Sequence, residues 1–261
     1  MTIFLHELRR NRISLCIWSA AISFMLAVCV FIYPEMEAQM AEMGDMFANM
    51  GSFSDALGME NLNIGEFMGF FALECGEMLG LGGAIFAAIL GAGILSKEEK
   101  GRTADLLLSH PISRTRVVGE KILAVMAEIT ILNAATFIIT CISVLAIGEE
   151  LNVKLLGLIF LAFLILQFEI AAISIGVSSV VIRGGVGLGI GVTVLFYFLN
   201  LISNLTESLE FFKYITPYGY ADGGAILNDE AINIKYLVIG LAIAAICIAL
   251  AFMRYRKKDI K

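Results

Sequence analysis

Charge is scarce in this sequence. Charged residues make up 16% of its 261 residues and hydrophobic ones 59%, where soluble domains carry about 25% charged and roughly 45–50% apolar residues. Mean hydropathy is +0.88. That balance excludes a soluble globular domain and indicates an integral membrane protein, and the length leaves no room for a second large soluble domain. The residue patterns of catalysis are also missing. No glycine is followed by lysine, so there is no G-x-x-x-x-G-K-[ST] phosphate loop and no ATP site to expect. The two histidines, His6 and His110, lie in different segments without an H-E-x-x-H, and no Ser/His/Asp arrangement can be placed. The five cysteines, Cys16, Cys29, Cys75, Cys141 and Cys247, all fall inside apolar runs with no C-x-x-C pair. They read as small buried hydrophobes rather than disulfides or metal ligands. The chain is not expected to be an enzyme on its own.

What is present is apolar sequence in membrane-length runs: 13–33, 69–95, 122–147, 155–182, 186–205 and 236–253, each near the roughly 20 residues a bilayer requires. The expected fold is all-α, with six transmembrane helices in a single domain over 1–261. The first run is too long for a signal-peptide core and lacks an A-x-A site after it, so it reads as a span. Sorting of the basic residues sets the orientation. Fifteen of the eighteen Lys and Arg fall at the termini and in the even-numbered loops. Lys154, Lys213 and Lys235 fall on the other side. The positive-inside rule then puts both termini in the cytoplasm. The net charge of −6 conceals this sorting of the two signs to opposite faces. Residues 1–12, MTIFLHELRRNR, sketch an amphipathic interfacial helix, with Ile3, Phe4 and Leu8 near one face and most of the charge elsewhere.

Between the second and third spans stands the one strongly charged segment, KEEKGRTADLLLSHPISRTRVVGEK over 97–121. Thr103-Ala-Asp-Leu-Leu-Leu reads as a short helix with a Thr N-cap and an acid in its first turn. Pro111 stops it, and Ser113 is placed to cap the helix that enters the third span. Exposed leucines flanked by bases suit docking on a partner. The order of residues here resembles the loop after the second span in permease subunits of type-2 exporters of the ATP-binding-cassette (ABC) superfamily. Glu98, Glu99, Gly101, Thr103, Asp105, Leu106, Leu107, Leu108, Pro111, Ile112, Ser113 and Arg114 stand in the places of that pattern. Arg102 intrudes between the glycine and the threonine, so that end departs from it. The resemblance implies a permease domain in the cell membrane, coupled through this loop to a separate ABC ATPase subunit that binds ATP and magnesium. It further implies a second permease copy or a related permease as dimer partner. No cofactor is expected in this chain. Membrane lipid surrounds it, and nothing suggests nucleic acid.

Other residues carry narrower expectations. Glu74, Glu77, Glu128 and Glu169 lie within apolar runs, with Gln167 beside the last. Ionisable groups at such depth normally face a protein interior or a water-filled path. Glu169, at mid-span, is the best buried candidate. Glu74 and Glu77 lie close to the outer surface and Glu128 close to the inner one. Gly185, Gly187, Gly189 and Gly191 make two overlapping G-x-x-x-G pairs for close helix packing, within the chain or across a dimer. In the acidic stretch 34–66, which has no Lys or Arg, Met36, Met40, Met43, Met46 and Met50 recur at helical spacing. The stripe reads as an amphipathic helix face, with a soft Cu(I) site as the sharper alternative. The aromatic residues of 206–235 suit the outer interface, where similar permeases carry short helices. The reading is a permease subunit of an ABC exporter. Its competitors are a proton-coupled secondary transporter or channel using the intramembrane glutamates, and a membrane scaffold or assembly factor for copper-enzyme maturation.

Overall fold

The computed structural model describes residues 2–48, 66–95, 113–180, 185–205 and 207–257. Among them every regular element is helical. In chain order these are α1 (Thr2–Ala48), α2 (Phe67–Cys75), a π-helical segment (Gly76–Gly82), α3 (Gly83–Ile94), α4 (Arg114–Ile147) and α5 (Val153–Val180). Then come α6 (Gly185–Ser203), 3-10 turns at Glu207–Tyr214 and Pro217–Tyr220, α7 (Gly223–Asp229) and α8 (Ile234–Lys257). Six helical stretches are long and apolar enough to cross a membrane, and they follow the six runs of the sequence. The protein is an all-α, multi-pass membrane protein.

The spans are not equivalent. The second and the fourth (α5) form the interior, being 67% and 72% buried, whereas the fifth and sixth (α6 and α8) are each 17% buried and face outward. Composition explains the difference. The second span carries glycine and alanine where it meets α5: a side chain at Gly91 would meet the Ala171 carbonyl, and one at Gly80 the ring of Phe163 at 2.9 Å. Small residues allow helix backbones to approach closely where lipid gives no hydrophobic drive for association. At the outer end, rings join four spans: Tyr33 packs on Phe67 and Phe70, Phe71 on Phe160, and Phe160 on Phe137, with centroids 5.1–6.4 Å apart. Leu195, Phe198, Leu241, Ile246 and Leu250 stay exposed, as expected of helix faces turned toward lipid.

Two features differ from the sequence expectation. The N-terminal stretch is helical but does not form a separate element; it runs unbroken through the first span and past Pro34 to Ala48 in one helix of 47 residues. The second span is not a uniform α-helix, because Gly76–Gly82 opens into a π-helix. Gly76, Gly80 and Gly82 there give little resistance to rewinding. The turn after α4 follows simple rules: Gly148 ends that helix at φ 82°, a left-handed conformation that glycine adopts without a Cβ penalty.

Candidate functional site

At the end of the bundle that the sorting of Lys and Arg assigns to the cytoplasm, the first turns of α1 lie against the start of α4. Ile3, Glu7 and Asn11, spaced by four, are the buried face of the N-terminal segment. Glu7, one of the charges that the sequence sets mostly away from the Ile3, Phe4 and Leu8 face, is 1% exposed and holds Lys121, which is 0% exposed, at 3.2 Å. The same ammonium donates to the carbonyl of Ile94 at 2.7 Å. Ile94 is the last residue of α3, and the final carbonyls of a helix have no partner in the helix itself. Lys121 therefore caps the second span with a cation, the sign its C-terminal dipole favours. Nearby, Glu120 accepts from the backbone N–H groups of Ile3 and Phe4 at 3.1 and 3.3 Å, capping the start of α1, and it also pairs with Arg116. One turn further in, the Asn11 amide donates to Glu128 at 2.9 Å. Three chain segments are thereby joined by buried charge-assisted bonds, which are short and strong where water is excluded.

This junction stands at both roots of the loop 96–112. Of the loop's motif, Glu98, Glu99, Gly101, Thr103, Asp105, Leu106, Leu107, Leu108 and Pro111 lie outside the described residues. Ser113 and Arg114 lie within them. Ser113 accepts from the backbone N–H of Arg116 at 3.3 Å and caps α4. Arg114 reaches the carbonyl of Tyr255, near the end of α8, at 3.5 Å. Sequence reasoning counted Lys121 only as a loop charge. Its signal was the spacing of Glu7 from Ile3 and Asn11, which sets an acid on the face that packs inward.

Mid-membrane, Gln167 is fully buried and bridges three helical segments. It accepts from the Asn133 amide at 2.7 Å and donates to the Leu79 carbonyl at 3.1 Å. Tyr218 donates to the next carbonyl, Gly80, at 3.4 Å, and both carbonyls also accept from the backbone N–H of Gly83. Glu169, two residues along α5, is 0% exposed. It packs where a side chain at Gly240 of α8 would stand, with Tyr220 beside it.

At the outer end Glu77 is exposed, and Tyr197 donates to its carboxylate at 2.6–2.7 Å. Glu74 is half-buried and meets the Cys29 thiol at 3.6 Å. A cavity of about 70 Å3 opens here, lined by Glu77, Tyr197, Asn200, Asn204, Tyr218 and Asp222 among others. Burial pushes the Tyr218 phenol up, with the charges of Tyr197 and Glu77 adding to the effect. The glycine pairs of α6 separate by face. Gly185 and Gly189 pack on Ala92 and on Ser178 and Ser174, whereas Gly187 and Gly191 have nothing within 4 Å. Helix α1 carries Met36, Met40, Met43 and Met46 on its backbone, and Met50 lies outside the described residues. Among the described residues no three His, Cys, Asp or Glu side chains gather as metal ligands.

A family model for the ABC-2 family transporter protein matches residues 1–260. The chain belongs to the ABC-2 transporter family. A comparison with individually curated proteins gives no match. For an ABC-2 transporter protein the arrangement is coherent: a six-span permease component with a polar junction at the end of the bundle where α1 begins and polar groups through its interior.

Proposed function

We propose that this ABC-2 permease exports its substrate across the cell membrane and takes its driving force from a separate ATPase subunit docked on the loop 97–114. In this reading ATP and magnesium are bound by the partner. Two permease subunits, identical or related, enclose the pathway, as in the exporters this sequence resembles. The leucines Leu106, Leu107 and Leu108 contribute the buried contact, and the flanking charges set its orientation. The observation that most supports the reading is the position of Lys121. It ties the end of the second span, the start of the third and the N-terminal helix at the roots of the loop, so that a push on the loop is delivered to three elements together. An ATPase drives transport only if it contacts two permease conformations differently. Rigid roots turn such a difference into movement of spans. Exporting vesicles test this: with the partner subunit present, Leu107→Asp should abolish ATP-dependent transport and leave the six-span fold and membrane insertion intact. Transport that persists without any ATPase, driven by a proton gradient, would overturn it.

A further inference from the structure

The buried junction where α1 begins leaves the arginines around it unused. Arg9, Arg10 and Arg12 of α1 and Arg254 of α8 are all exposed. Among the described residues none of the four forms an ion pair. The acids described at this end are already taken: Glu7 by Lys121, Glu128 by Asn11, and Glu120 by Arg116 and the backbone of α1. The first turns of α4 bring the two helices to one end of the bundle. Glu120 holds the start of α1, and Arg114 reaches the carbonyl of Tyr255, the residue after Arg254. The described surface here is basic and uncompensated.

A second observation says what that surface meets. Arg9, Ile13 and Ile17 recur every four residues on one face of α1, and both isoleucines are exposed. On α8, which arrives from the opposite direction, Ile246, Leu250 and Arg254 repeat the spacing, again with the apolar pair exposed. Two separate helices thus carry an exposed apolar face that ends in an unpaired arginine about 6 Å further along, at 1.5 Å per residue. In a multi-pass membrane protein such faces meet lipid tails, so the guanidinium groups stand at headgroup depth.

We propose that this arginine rim is a binding surface for anionic phospholipid. A guanidinium presents a planar fork of donors that fits the oxygens of a phosphate in pairs. Zwitterionic headgroups bring a cation of their own, which competes for the same phosphate. Each base at an anionic membrane surface adds roughly fivefold in affinity. An acidic protein surface is the poorer fit, because one turn deeper it would have to share Ile13 and Leu250 with lipid. The inference needs only the membrane-spanning fold, so failure of ATPase coupling leaves it standing.

The full chain, purified in nonionic detergent, is titrated with dioleoylphosphatidylglycerol or dioleoylphosphatidylcholine, and its thermal unfolding is followed. A saturable rise in the unfolding midpoint with the anionic lipid, absent with the zwitterionic one and weakened by added salt, is expected. Arg9→Gln and Arg254→Gln should each weaken the apparent affinity roughly fivefold. Replacing all four arginines by glutamine should abolish the difference between the lipids; the single variants decide the matter if that protein does not fold. Equal shifts with both lipids, no saturable shift, or an undiminished shift in both single variants overturns the surface. So does a variant that keeps the lipid response but no longer recovers an ATPase subunit, since the arginines would then serve a protein contact.

Discussion

Lys121 and Ile94 stand 27 residues apart in the chain, yet the lysine ammonium donates to the isoleucine carbonyl at 2.7 Å, fully buried, with Glu7 as its counter-charge. Loop 96–112 leaves the second span and enters the third between these two residues. The end of the second span, the start of the third and the N-terminal helix are thus tied to one another where this loop begins and ends.

Removing one partner of that buried pair should be far more harmful than removing both. Lys121→Met leaves Glu7 as an uncompensated buried charge and is expected to cost about 3–5 kcal/mol. Adding Glu7→Leu removes that charge and should recover most of the loss. A double-mutant cycle on denaturation in detergent measures the coupling, and additive losses would show that the two groups do not interact.

The two glycine pairs of α6 should respond oppositely. Gly189→Val pushes a branched side chain against Ala92 and the Ala88 carbonyl, and overpacking of this kind costs about 1–3 kcal/mol. Gly187→Val meets open space and should leave the stability of the isolated subunit nearly unchanged. Equal destabilisation by both would place the packing face wrongly.

Much of this was legible from composition and spacing. Apolar run lengths marked the six spans, because in lipid each backbone group must be satisfied within the protein and a helix does so within a single segment of about 20 residues. Ser113 was readable as a cap because capping is local. The inward turn of Glu7 was not, since it depends on Lys121 arriving from more than a hundred residues away to neutralise it. Nor was the π-helix. Its glycines permit rewinding, but Phe163, Gln167 and Tyr218, all distant in sequence, fill the space beside it and bond to its carbonyls.

Gln167 should matter for that rewound segment in particular. Gln167→Leu removes one hydrogen bond from the Leu79 carbonyl and one from the Asn133 amide, which keeps its bond to Ile129, at a cost of about 0.5–1.5 kcal/mol for each bond. Hydrogen exchange should then rise within Gly76–Gly82 more than elsewhere in the second span. Uniform protection along that span in the variant would mean that the bridge does not support the π-helix.

Orientation can be checked from both sides of the membrane. With the native cysteines replaced, Glu150→Cys is expected to react with an impermeant thiol reagent in intact cells, and Lys257→Cys only after the membrane is opened. The reverse pattern would invert the topology and move the coupling loop to the wrong face.

The most direct test of the central claim is recovery of an ATP-binding subunit with the affinity-tagged permease under mild detergent conditions, comparing wild type with Leu107→Asp. The account predicts an ATPase that co-purifies with wild type and is lost from the variant, while the variant remains folded. An ATPase retained equally by both would contradict docking through the loop, and none recovered with wild type would contradict an ATP-driven permease.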